Sequence, residues 1–238
     1  MEQSSISLNK YISSTGICSR READKWIDAG RVRINGKKAA KGNRVEPGDS
    51  VTIDGKTLRS KKKPVYLLFH KPPGVTCTTD RKDKDNIIDF IKYEKRIFPI
   101  GRLDKPSSGL IIMTNDGDMV NRILRKENMH EKEYIVKVDR PMNKNFLNKM
   151  SKSIPMLGTR TIPAVVTRLS TQVFSIVLIQ GLNRQIRRMV EYCGYKVVSL
   201  KRIRIMHLEL GDLPSGKWRP ITREEMKELD IRLRNDVK

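Results

Sequence analysis

One carboxylate, Asp104, stands between two bases in Arg102-Leu103-Asp104-Lys105, on a stretch rich in Gly, Pro and Ser. The chain then runs into the apolar residues 110–113, a β-branched run bounded by turn residues that reads as a buried strand. An acid on a loop braced by a core strand is well placed for chemistry, because reactive groups sit on loops that rigid elements hold still. The same residue types also make an ordinary turn or helix-capping aspartate, and the loop alone leaves both readings open. A second stretch is Gln180-Gly181-Leu182-Asn183-Arg184-Gln185-Ile186-Arg187-Arg188-Met189-Val190. Ile186, Met189 and Val190 share a helical face, with Arg184, Arg187 and Arg188 opposite or on its flank. Bases at the start of a helix oppose its dipole, so they call for an anion, either phosphate or a partner carboxylate. A solvated basic patch fits these residues equally well.

The elements that must hold these groups follow from pattern. Residues 7–15 read as a short helix with Ser7 as its cap. Ser19-Arg20-Arg21-Glu22 is a capping box opening a second helix that carries Ala23, Trp26 and Ile27 on one face. Asn35-Gly36 is a hairpin signal after the alternating residues 31–34. Residues 60–64, Ser-Lys-Lys-Lys-Pro, break the pattern and read as a linker. Beyond it come a strand over 65–69 and a turn at 70–74. A short helix follows around Ile87–Ile91, then the strand after Asp104 and a helix over 118–126 with Asp116 or Asp118 as its cap. A strand over 133–139, a helix over 143–151, a hairpin over 164–179 and the arginine-bearing helix come next. Two strands at 197–200 and 203–205, separated by bases, precede a carboxy-terminal helix. Hairpin-linked strands mixed with helices make the second part α+β.

Composition narrows the partner. The chain of 238 residues has 49 Lys and Arg against 27 Asp and Glu, a net charge of +22. Nucleic acid has a use for that excess, since each base that neutralises a phosphate releases counterions. Residues 1–63 carry +8 and the remainder +14, so both parts are basic. Many of the amino-terminal bases cluster where the second helix meets the hairpin: Arg20, Arg21, Lys25, Arg31, Arg33, Lys37 and Lys38. No apolar run approaches the roughly 20 residues of a membrane span, and the start lacks the pattern of a secretory signal. Three scattered cysteines, Cys18, Cys77 and Cys193, point away from a disulfide framework and toward a reducing cytoplasm. His70, His130 and His207 are isolated, so no metal site is expected.

Two resemblances sharpen this reading. Leu8-Asn9-Lys10-Tyr11-Ile12, Gly16-Ile17-Cys18-Ser19-Arg20-Arg21-Glu22-Ala23-Asp24 and Gly30-Arg31-Val32-Arg33-Ile34-Asn35-Gly36 resemble the S4 RNA-binding module. Further motifs continue in order: Gly101-Arg102-Leu103-Asp104 with Ser107 and Gly109, Thr114-Asn115-Asp116-Gly117, His130-Glu131-Lys132-Glu133-Tyr134, the stretch 180–189, and Arg202-Ile203-Arg204-Ile205-Met206. Together they resemble the RsuA-like family of ribosomal RNA pseudouridine synthases, most closely its RluF branch, over essentially the whole chain. The resemblance implies a small αL-like S4 domain over 1–63 and a catalytic domain over 64–238 with a mixed, mainly antiparallel sheet flanked by helices. It implies isomerisation of a uridine to pseudouridine in a stem-loop of large-subunit (23S) ribosomal RNA, with small-subunit or transfer RNA as other substrates, and neither metal nor cofactor. Asp104 would be the catalytic acid, Arg187 its ion-pair partner, and Tyr134 the ring that stacks on the base and helps remove its C5 proton. Arg102 would fill the space left by the flipped uridine, and Leu200 would wall the pocket. The branch often carries an acidic or polar residue where this chain has Pro106. The competing class is a non-catalytic S4-type RNA-binding or ribosome-assembly protein, which would not need Asp104, Tyr134 and Arg187 together. A cytoplasmic monomer is expected.

Deleting residues 1–63 is expected to weaken RNA binding and flatten its dependence on salt, through lost phosphate contacts. An unchanged slope of log affinity against log salt would show that this segment does not touch RNA.

Overall fold

The structure is a computed structural model that describes residues 5–58, 63–124 and 129–235. The chain divides into two units: Met1–Pro64 with Glu94–Arg96 and Asn115–Gly117, and the remainder. The expected linker falls largely outside the described residues.

The first unit opens with β1 (Ile6–Ser7) and α1 (Leu8–Ser14). Ser7 occupies the cap position, but its hydroxyl donates to Asn9 Oδ1 at 3.0 Å instead of accepting from the helix. Ser19 does cap α2 (Arg20–Asp28), accepting from the Glu22 amide at 3.1 Å. β2 (Val32–Ile34) turns into β3 (Lys37–Lys38) through Asn35 and Gly36, both at positive φ (49° and 77°), the backbone that a two-residue hairpin demands. β4 (Arg44–Val45) pairs with β1, while β5 (Val51–Ile53) and β6 (Lys56–Thr57) complete a sheet of order β3-β2-β5-β6. Leu8, Ile12, Ala23, Ile27, Val32 and Val51 are buried together between helices and sheet. Each large aliphatic side chain among them stabilises the unit by about 1.5–3 kcal/mol.

The rest of the chain supplies β7 (Tyr66–Lys71), α3 (Ile87–Ile91), β8 (Phe98–Ile100), β9 (Ser108–Thr114), α4 (Gly117–Leu124), β10 (Lys132–Val138) and α5 (Lys144–Ser151). A small ribbon, β11 (Pro155–Met156) and β12 (Thr159–Arg160), is followed by β13 (Val165–Arg168), β14 (Val173–Leu178) and α6 (Gln185–Tyr192). β15 (Val197–Ile205), β16 (Leu208–Glu209), β17 (Trp218–Pro220) and α7 (Arg223–Asn235) complete it. One sheet runs β13-β14-β10-β15-β9-β7-β17, with β8 beside β9 and β16 beside β15. Its pairings are antiparallel except β15 with β9. The α+β class with a mixed, mainly antiparallel sheet holds.

Two expectations change. The bases at 201–204 do not interrupt a strand: β15 is continuous, because its ladder to β10 runs from Val197 to Ile205 and Arg204 is bound to Glu133 at 2.9 Å and Glu131 at 3.0 Å. His70 and Lys71 are the end of β7, not a turn, since they pair with Leu110 and Gly109. α4 starts at Gly117 with Asp118 in its first turn, and the end of the expected helix lies outside the described residues.

Leu110 and Ile112 bury one face of β9 with Leu229 and Leu233 of α7. Ile111 and Met113 bury the other face with Leu67, Phe69 and Ile87. Val136, Phe174, Met189 and Leu200 form a third cluster with α5 and α6. Among the described residues, the backbone ladder joining the halves of the sheet consists of Ser108↔Lys201 and Gly109↔Arg202. Gly109 has φ +109°, and a Cβ there would lie 2.1 Å from the Arg202 carbonyl oxygen and 2.5 Å from its nitrogen. Gly109→Ala is therefore expected to destabilise the protein by about 3 kcal/mol or more, through overlap and left-handed strain. Denaturant unfolding checks this, and an unchanged midpoint would contradict it.

Candidate active site

Asp104 lies on the loop between β8 and β9. The loop backbone is held from beneath by Lys71, which is fully buried at the end of β7. Its ammonium donates to the carbonyls of Pro72 at 2.8 Å, Lys105 at 3.3 Å and Ser107 at 2.7 Å. Burial pushes the Lys71 ammonium below the ordinary lysine range, opposed by Cys77 and Asp104. The Leu103 amide donates to Cys77 Sγ at 3.4 Å, the Gly74 amide to Lys105 O at 2.8 Å, and the Ser107 amide to Asp104 O at 3.0 Å. Lys105 turns outward to Asp85 at 2.7 Å. The loop is thus fixed on both sides of Asp104, whose side chain remains about one-third exposed. The sequence carries a sign of Lys71: it falls in alternation with Leu67 and Phe69, at an inward position of the strand.

Arg187 reaches this loop from α6. Its Nε lies 3.5 Å from Asp104 Oδ2, and its Nη2 donates to the buried Ser107 hydroxyl at 2.9 Å. Nε itself has no hydrogen-bond partner among the described residues, so the contact with Asp104 is a long ion pair. Burial lowers the pKa of Arg187, and Asp104 acts against that shift. The expected grouping of three arginines therefore separates. Arg187 turns inward. Arg184 is exposed at the helix start in left-handed conformation (φ 50°), and Arg188 Nε donates to Asn183 O at 3.1 Å. The helix starts on Gln185, whose side chain accepts from the Leu182 amide at 3.0 Å.

Tyr134 packs against two apolar clusters, one containing Leu103 and the other Leu200 and Met189. Leu200 is 6% exposed, and Arg102 is exposed on the loop. Lys132, two residues before Tyr134 on the same side of β10, donates to His130 O at 2.9 Å. Burial, and secondly Arg202, push its ammonium down to about 8. Cys77 is buried, while Cys193 is only half-buried.

In the amino-terminal unit, Arg20, Arg21, Lys25, Arg33 and Lys37 are all exposed. Arg31 is exposed too but engaged: its Nε donates to Asp54 at 3.0 Å, and its guanidinium lies 5.2 Å from the centre of the Trp26 ring. Among the described residues, no helix is long and apolar enough to cross a membrane.

Residues 65–192 match the family of RNA pseudouridylate synthases, and residues 7–51 match the S4 domain. The chain belongs to the RNA pseudouridine synthase family. This synthase is 50% identical over 231 residues to the dual-specificity RNA pseudouridine synthase RluF of Escherichia coli strain K12, across 96% of this chain and 80% of that one. It is 36% identical to ribosomal large subunit pseudouridine synthase B of Bacillus subtilis strain 168, across 93% and 94% of the two chains. A pseudouridylate synthase crystal structure covers 94% of the synthase and 99% of its own chain, with a TM-score of 0.69 at 28% identity. The placement among RsuA-like enzymes close to RluF stands.

Lys132 gives the synthase a pH signature. Folded Lys132 releases its proton at about 8, whereas an unfolded lysine does so near 10.4. Between those values the unfolded chain binds more protons, so this group makes stability rise with pH. The stability of wild type relative to Lys132→Met should therefore increase from pH 8 to pH 10, as read by denaturant unfolding. A difference that stays flat or falls would contradict the burial of this ammonium.

Proposed function

We propose that the synthase isomerises a uridine to pseudouridine in a stem-loop of large-subunit (23S) ribosomal RNA, with Asp104 as its essential acid. The Asp104–Arg187 ion pair carries the reading: a carboxylate about one-third exposed on a fixed loop, with a buried guanidinium beside it that orients it. The uracil leaves C1′, turns while bound and rejoins through C5. Asp104 serves this either by attack on the sugar or by removing a sugar proton. Tyr134 stacks on the base and helps take the C5 proton, with Leu200 as the apolar wall. Arg102 enters the helix where the uridine is flipped out, and Arg184 and Arg188 meet phosphates. Residues 1–63 act as the RNA-binding domain through Arg20, Arg21, Lys25, Arg31, Arg33 and Lys37, and residues 64–238 as the catalytic domain. The protein works as a cytoplasmic monomer without cofactor. The dual-specificity name of relatives at 50% identity favours a second RNA substrate, for which transfer RNA is the candidate.

Asp104→Asn is expected to abolish isomerisation while leaving RNA affinity nearly intact; pseudouridine formed by this variant would sink the mechanism. Pseudouridine mapping of total RNA, from cells with and without the protein, should show a large-subunit position that depends on it. A dependent position in small-subunit RNA alone would redirect the substrate, and no dependent position at all would overturn the assignment.

A further inference from the structure

Arg202 takes part in no step described above, yet it is only 3% exposed at the middle of the sheet. Its backbone pairs with Tyr134 of β10 on one side and with Gly109 of β9 on the other. Its Nε donates to the Leu110 carbonyl of β9 at 2.7 Å, and its guanidinium carbon lies 6.0 Å from the centre of the Tyr134 ring. The β10–β15 register shifts between Glu133 and Tyr134, an irregularity of the kind that re-aims a side chain. One residue thus touches both halves of the sheet: the strand that follows the Asp104 loop, and the Tyr134 ring.

This placement is unfavourable by itself. Nη2 is buried with no hydrogen-bond partner among the described residues, and an orphaned buried donor is destabilising. The nearby Lys132 is a second cation, held down partly by Arg202. Cys77, another group that feels Arg202, is a buried thiol pushed toward its neutral form by burial. A leucine or methionine would fill the volume without desolvating a charge. What the guanidinium adds is a planar donor that engages a strand carbonyl and an aromatic face at once.

We propose that Arg202 is a positioning residue for the isomerisation, holding the Tyr134 ring against β9 and so fixing its distance from Asp104. This role rests on the reading of Asp104 and Tyr134 given above. Single-turnover isomerisation of a stem-loop RNA at saturating enzyme tests it, with Arg202→Met and Arg202→Lys beside wild type and with deuterium at C5 of the target uridine. A misplacement of about 1 Å can lower a rate about 100-fold, and a loss of that order is expected in both variants with RNA affinity unchanged. Arg202→Lys keeps the charge but not the plane, so it should not rescue. With Tyr134 displaced, proton removal from C5 slows, and the deuterium isotope effect should rise above the wild-type value. A residue that merely fills space would instead lose activity in proportion to thermal stability, be rescued by lysine and leave the isotope effect unchanged. That result overturns the proposal, as does a wild-type rate in Arg202→Met. If Arg202→Met does not fold, the rate and isotope effect of Arg202→Lys decide. Asp104→Asn run in parallel separates the two readings. An active Asp104→Asn removes the site assignment itself. An inactive Asp104→Asn beside a fully active Arg202→Met removes only the role of Arg202.

Discussion

The close approach of β9 to β15 at Gly109 is the constraint on which the second unit depends. Two antiparallel ladders, one built on β10 and one on β7 and β9, become a single sheet through two residue pairs. The absence of a Cβ at Gly109 lets the Arg202 backbone come within reach. Asp104 belongs to the loop entering β9. Tyr134 and Leu200 lie on the other ladder, and Arg187 lies on the helix that precedes β15. The groups therefore meet only if the two ladders join in this register. So short a parallel contact supplies few hydrogen bonds of its own. The Arg187–Ser107 and Arg202–Leu110 contacts, both between buried side chains and the β9 side, tie it further.

The loop itself is fixed by an ammonium rather than by an apolar plug. Lys71 gives up its hydration and recovers hydrogen bonds by donating to three carbonyls, those of Lys105 and Ser107 just after Asp104 and that of Pro72. Those carbonyls face inward, and the Asp104 carboxylate is left toward Arg187 and solvent. Ser107 completes the arrangement, since its carbonyl accepts from Lys71 while its hydroxyl accepts from Arg187. Two buried cations thus converge on one serine three residues after the acid, and among the described residues the acid's own oxygens meet Arg187 in a long ion pair.

The amino-terminal unit shows a different economy. Its apolar residues are spent on a small core, and its cations are left outside. Arg31 is tied to Asp54 and stacked on Trp26, while Lys41 pairs with Asp28. Arg20, Arg21 and Lys25 project from α2 without a carboxylate pairing among the described residues. Exposed bases of this kind add little to stability but much to phosphate affinity.

Local pattern was enough for most elements. The Ser19 cap, the Asn35-Gly36 hairpin, the strand after Asp104 and the apolar face of α6 depend on neighbours within a few residues, and they form as their sequence directs. The charge excess and the ordered motifs likewise pointed to RNA and to the family. Apart from the Ser7 cap, which Asn9 diverts locally, what local pattern misjudged were places where distant partners set the outcome. His70 and Lys71 beside two prolines look like a turn, until β9 offers them a ladder. The bases of β15 look like a break, until Glu131 and Glu133 arrive from β10. Three arginines on one helix look alike, until a buried serine and a carboxylate select Arg187. The sequence by itself determined most of the secondary elements, the basic character and the candidate acid, because those rest on residue type and short spacing. Only the tertiary structure decided which cations turn inward, because a buried charge is tolerated just where other segments supply its partners.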